Sequence, residues 1–271
     1  MRKLIVLLAA AALAVCACQR QPRLVIIHAN DTHSHLDPVR TGDRAGLGGV
    51  VERAAFVDSV RNAYGADRVL LLHAGDFGQG TSYFTEMEGR MEPRIIDDLG
   101  YDCVALGNHE FDNGIEDLTE RLRTVRPETK FLCANVDLSP FELGEYVKPY
   151  AIVERGGMKV GVIGLESDLS TNVSRTISSR LQQLDNVAET NRWADYLHDK
   201  ERCDLIILLS HLGYRQDQEL VPQTRWIDLV IGGHSHTFVD GFVYVENARG
   251  KKVPVITDGC WGLEMGLIEV R

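Results

Sequence analysis

The stretch Leu24-Val25-Ile26-Ile27-His28-Ala29-Asn30-Asp31-Thr32-His33-Ser34-His35 sets an unbroken apolar run directly against a cluster of metal-type side chains. The run is short, β-branched and without polar alternation, so it reads as a strand buried on both faces. The arrangement returns four times. Val69–Leu72 ends in His73-Ala74-Gly75-Asp76, Cys103–Leu106 in Gly107-Asn108-His109-Glu110, Leu205–Leu209 in Ser210-His211, and Leu229–Ile231 in Gly232-Gly233-His234-Ser235-His236. Between the first two runs Val50, Ala54, Val57, Val60 and Tyr64 recur at three- and four-residue spacing, which predicts a helix, and Asp185 to His198 is read as another. Strand–helix alternation of this kind gives an α/β fold with largely parallel strands.

In open α/β sheets, ligands sit beyond the carboxyl ends of the strands. One histidine at such a place is usually satisfied by a backbone carbonyl. Five strand ends carrying Asp, Asn or His point instead to a metal centre of nitrogen and oxygen donors. Without thiolates in the set, the donors suit Zn, Mn, Fe or Co rather than Cu(I). Glycines such as Gly75, Gly107, Gly232 and Gly233 permit the sharp turns and close backbone approach that such a centre needs.

Taken in order, NDTHSHL, AGDFGQG, ALGNHEFDNG, SHLG and GGHSHT resemble the motifs of the calcineurin-like metallophosphatase superfamily, and within it the catalytic domain of the 5′-nucleotidase family. The resemblance runs on through Lys148-Pro149-Tyr150 and Gly157–Leu165. It implies a four-layer α/β/β/α sandwich, two mixed sheets flanked by helices, and hydrolysis of phosphate esters with two divalent ions. Carried over, one ion falls to Asp31, His33, Asp76 and His236, the other to Asp76, Asn108, His211 and His234, with Asp76 shared. His109 and Asp112 match the family's catalytic pair. His28, His35 and His73 are expected to be supporting or structural, Glu110 and Phe111 to turn and pack their loop, Asn30 to bond within the ligand loop, and Trp261 to sit at the site mouth or to pack. The implied activity is 5′-nucleotidase-like removal of phosphate from nucleotides. The alternatives are a cyclic-nucleotide phosphodiesterase, a nucleotide-sugar hydrolase, or a metal-binding scaffold for a separate substrate-binding chain.

The remaining features bound the setting. The chain has 271 residues and a net charge of −10, so binding nucleic acid by bulk electrostatics is excluded. Arg2 and Lys3 precede an apolar run from Leu4 to Ala17, too short for a membrane span and suited to a secretory signal. Val15-Cys16-Ala17-Cys18 resembles a bacterial lipobox, with Cys18 the better candidate for acylation than Cys16. The expected organisation is therefore a signal peptide over 1–17 and a catalytic domain over 18–271, with the family's nucleobase-binding second domain absent. The expected location is an exported, outer-membrane or periplasm-facing lipoprotein. Cys103, Cys133, Cys203 and Cys260 lack CxxC spacing and read as buried free thiols, with a disulfide open on an oxidising export route.

Overall fold

A computed structural model describes residues 21–271, so the expected signal peptide over 1–17 and both candidate acylation sites lie outside the described residues. Strands β1 (Leu24–Ala29), β2 (Val69–His73), β3 (Cys103–Ala105) and β4 (Lys130–Leu132) run parallel and build the first sheet. A two-residue strand, β5 (Val136–Asp137), leaves it, and β6 (Val147–Lys148) returns to its far edge. The chain then enters the second sheet through β7 (Tyr150–Arg155) and β8 (Met158–Leu165), passes β9 (Gln182–Gln183), which pairs with β5, and continues with β10 (Leu205–Ser210), β11 (Leu229–Gly232), β12 (Val243–Glu246) and β13 (Lys252–Ile256). Last, β14 (Gly266–Val270) comes back to lie antiparallel beside β1. The strand orders are β14-β1-β2-β3-β4-β6 and β12-β13-β11-β10-β8-β7, and antiparallel edges make both sheets mixed.

Side-chain alternation along each strand explains why these runs are apolar throughout. On β1, Val25 and Ile27 join a cluster with Val57, Val60, Leu118 and Leu122 of the outer helices, while Leu24 and Ile26 face the other sheet. On β10, Ile207 and Leu209 point to the same central cluster, and Ile206 and Leu208 pack on Ala194, Leu197, Leu220 and Val221 on the opposite outer side. Three apolar clusters thus separate four layers, helix, sheet, sheet, helix, as the resemblance implied. The helix foreseen from residues 50 to 64 spans Val50–Tyr64, and the second spans Asn186–Asp199, capped by Asp185, whose carboxylate accepts from the Ala188 amide. All four cysteines of the described residues are free, and burial raises the thiols of Cys103 and Cys133 well out of the reactive range. Among the described residues no helix is long and apolar enough to cross a membrane.

Candidate metal centre

The turns after β1, β2, β3, β10 and β11 meet at one edge of the two packed sheets. Their backbone is under unusual constraint. Among the described residues ten non-glycine positions have left-handed φ, and five of them are Asp31, His33, Asp76, His234 and His236, with φ from 46° to 73°. Asp and His enter this region more readily than most residues, but five at one place indicate geometry imposed by the site. Glycine is obligatory beside them. A Cβ on Gly107 would overlap the Asp76 carboxylate, and one on Gly75 would lie 2.6 Å from His211 Nδ1.

Two groups of donors result. Asp31, His33 and His236 form one, Asp76, His211 and His234 the other, each with its ligand atoms within 4.8 Å of one another. The groups are contiguous, because His33 Nε2 lies 3.7 Å from both Asp31 Oδ1 and Asp76 Oδ2. Each group takes residues from both sheets.

The hydrogen bonds fix which nitrogen faces inward. His211 Nδ1 donates to the Ala74 carbonyl at 2.7 Å, so Nε2 carries the lone pair. That Nε2 is fully buried without a hydrogen-bond partner and lies 3.0 Å from Asp76 Oδ2. His33 Nδ1 donates to the Gln79 carbonyl, turning its Nε2 to within 2.9 Å of His236 Nε2. Buried Asn108 Oδ1 has no partner either. Acceptors packed against acceptors need a proton or a cation between them, so the donor set fits divalent ions. The electrostatics agree. Burial alone would raise Asp76, yet His211 and His33 hold it well below the ordinary carboxylate range. Burial alone would depress His211, yet Asp76, Asp31 and Glu166 raise it well above the usual imidazole value. Asp31 and Cys260 push the His236 imidazole up to about 10.

His109 stands beside this centre. Its amide donates to Asp76 Oδ1, its ring lies 5.4 Å from that of His33, and Nδ1 is 2.7 Å from Asp112 Oδ2. That bond to Asp112 raises the imidazole above its ordinary value against the opposing effect of burial. With Nδ1–H committed to Asp112, Nε2 is the nitrogen left to meet a bound molecule. Glu110, expected to turn the loop, does so by a specific device: its carboxylate accepts from the amides of Asp76, Gly78 and Gly107, bolting the β2 and β3 turns together. Burial and the nearby Asp76 raise that carboxyl to about 8. Phe111 packs in the outer core.

The three remaining histidines of the motifs are supports. His28 Nδ1 lies 2.5 Å from Asp258 Oδ2, its ring filling the space beside Gly266. His73 Nε2 meets Thr32 Oγ1 at 3.1 Å, and burial pushes its imidazole down to about 3, so it is neutral. His35 Nδ1 donates to the His33 carbonyl. Asn30 does more than bond within its own loop: its Nδ2 donates to Asp31 Oδ2 and to the Gly259 carbonyl, and its Oδ1 accepts from the Asp258 amide. One residue escaped the sequence reading. Glu166 follows β8, is fully buried, holds Ser167 through Oε1 and leaves Oε2 without a partner. Burial, reinforced by Asp76, raises its carboxyl well above the usual range. The rule that exposed the other strand ends, a donor directly after an apolar run, applies equally to Val160–Leu165.

A four-layer α/β/β/α sandwich with paired His/Asp donor groups at the strand ends is the architecture of a metallophosphatase. Residues 24–238 match the calcineurin-like phosphoesterase family model, and the chain belongs to that family. It is 34% identical to a 5′-nucleotidase of Rattus norvegicus over 92% of this chain and 46% of that protein. It is 31% identical to a snake venom 5′-nucleotidase of Naja atra over 91% of this chain and 50% of the other. The crystal structure of a 5′-nucleotidase precursor from Thermus thermophilus superposes with a TM-score of 0.80 at 34% identity, covering 90% of this chain and 50% of that one. The chain spans about half the length of the curated relatives it matches.

Proposed function

We propose that this chain hydrolyses phosphate esters, nucleotides foremost, at a centre of two divalent ions outside the cytoplasm. One observation carries the reading: histidine and aspartate donors from both sheets converge as two adjacent groups, with His211 Nε2 buried among them and unpartnered. Asp31, His33, Asp76 and His236 would hold one ion and Asp76, Asn108, His211 and His234 the other, Asp76 being common to both. Bound there, Zn, Mn, Fe or Co would neutralise phosphoryl charge and lower the pKa of a water in the site. The chain's own residues do the rest. The carbonyls of Ala74 and Gln79 hold His211 and His33 in the tautomers that face inward. As the oxygen of a water that has released one proton to solvent bonds to phosphorus and the ester P–O bond breaks, His109 gives the Nε2 proton to the departing oxygen and afterwards regains one from solvent, while Asp112 holds the opposite edge of the ring.

Nucleotides are favoured as substrates because the relatives at 31–34% identity are 5′-nucleotidases. Export rests on the basic start and apolar run of residues 2–17, and acylation of Cys18 would tether the protein to a membrane. Phosphate release from AMP by the manganese-loaded chain, abolished by EDTA and restored by metal, is the expected result. A metal-loaded, folded chain that releases no phosphate from any ester contradicts the activity. Cys18→Ser is expected to remove the protein from the detergent phase, and continued partitioning refutes the anchor.

A further inference from the structure

Trp261 has a geometry that packing alone does not explain. Its backbone is left-handed, φ 63°, a conformation that a bulky side chain adopts only under constraint. The constraint comes from the ligand loop. Trp261 N donates to the Asp31 carbonyl at 2.6 Å, and Asn30 ties the same segment down through Gly259 and Asp258. The Phe238 ring occupies the space where a side chain on Gly259 would stand. Despite this anchoring the indole is 40% exposed, with one face stacked on His35 at 4.7 Å and 16°. His35 in turn donates to the carbonyl of His33, in the first donor group. A large flat ring is thus held rigidly at the rim of the centre with apolar area left uncovered.

We infer that Trp261 is the platform on which the leaving group of the ester stacks, so that the site prefers nucleoside and other aromatic phosphates over alkyl phosphates. The inference rests on the phosphohydrolase reading above and names the part of the substrate that reading leaves open. Every base presents a π-face, so an aromatic platform rewards the presence of a base without selecting among bases. The strain then has a use: the left-handed turn presents the ring outward instead of letting it fold into the core.

Manganese-loaded wild type, Trp261→Gly and Trp261→Phe are to be compared on AMP, CMP and glycerol 3-phosphate. Glycine suits the left-handed backbone, so the deletion preserves the fold. The ratio of kcat/KM for AMP over glycerol 3-phosphate is expected to fall about tenfold in Trp261→Gly, chiefly through KM, equally for CMP, and to stay within about threefold in Trp261→Phe. Adenosine, which carries no phosphate, is expected to quench the tryptophan fluorescence of wild type and not of Trp261→Gly. An unchanged ratio, or quenching that survives in Trp261→Gly, overturns the assignment. If wild type hydrolyses none of the three esters, the activity falls and the platform is judged by quenching alone: its loss in Trp261→Gly supports the platform, and its absence in wild type refutes it.

Discussion

In the proposed reaction His109 would separate proton transfer from metal binding, because its backbone amide donates to Asp76 while its ring, held by Asp112, would meet the substrate. His109→Ala is therefore expected to keep both ions and lose about 10²–10⁴-fold in turnover. The loss should be large for alkyl phosphates and small for p-nitrophenyl phosphate, whose leaving group needs no proton. Loss of a metal in that variant moves His109 into the ligand set instead. Asp112→Asn loosens the ring without deleting it, so its turnover should fall less than that of His109→Ala on alkyl phosphates. A loss as great as that of the alanine variant would mean that Asp112 does more than hold the ring.

At the level of elements, the loops are held by buried acids. Glu110→Ala would strand three amides of the β2 and β3 turns, at about 1–3 kcal/mol for each buried donor left unsatisfied, read by urea unfolding. Asp217, on the helix Tyr214–Leu220, behaves differently. It accepts from Ser210 Oγ through Oδ1, leaves Oδ2 unpartnered, and burial raises it from the ordinary 3.8 to about 7. A raised carboxyl favours the fold most below pH 3.8 and loses that contribution as pH climbs towards 7. Asp217→Asn is expected to gain stability relative to wild type across that window, and equal pH profiles for the two proteins contradict this. How far elements were legible follows the same local logic. The helix Val50–Tyr64 was readable because one apolar face recurs at helical spacing, and β1, β2, β3, β10 and β11 because central strands are apolar on both faces. The edge strand β12 carries the apolar run Val243-Tyr244-Val245 as well, yet lies largely exposed, so an apolar run alone does not mark a buried strand. Asn30 bonding to Gly259 joins positions 229 apart in sequence, and the left-handed backbone of Trp261 is imposed by that distant loop. Neither contact leaves a local pattern to read.

For the molecule as a whole, the centre is also a fastener. Asp31, His33, Asp76 and Asn108 follow strands of the first sheet and His211, His234 and His236 follow strands of the second. Each ion would therefore cross-link two layers otherwise joined by the apolar cluster that includes Ile26, Leu72, Ile207 and Leu209. Ions that bind the folded chain alone add about 2.7 kcal/mol at a hundredfold excess over Kd. EDTA should accordingly lower Tm, and metal retention should fall at acid pH, where histidine ligands are lost to protons. A Tm indifferent to EDTA contradicts the cross-link. Whether Asp76 is shared by two ions is decided by elemental analysis of wild type beside Asp76→Asn. Two divalent ions per wild-type chain are expected, with a deficit at both sites in Asp76→Asn, because a neutral amide bridges two cations poorly. Full occupancy in Asp76→Asn, or a single ion per wild-type chain, would contradict that sharing.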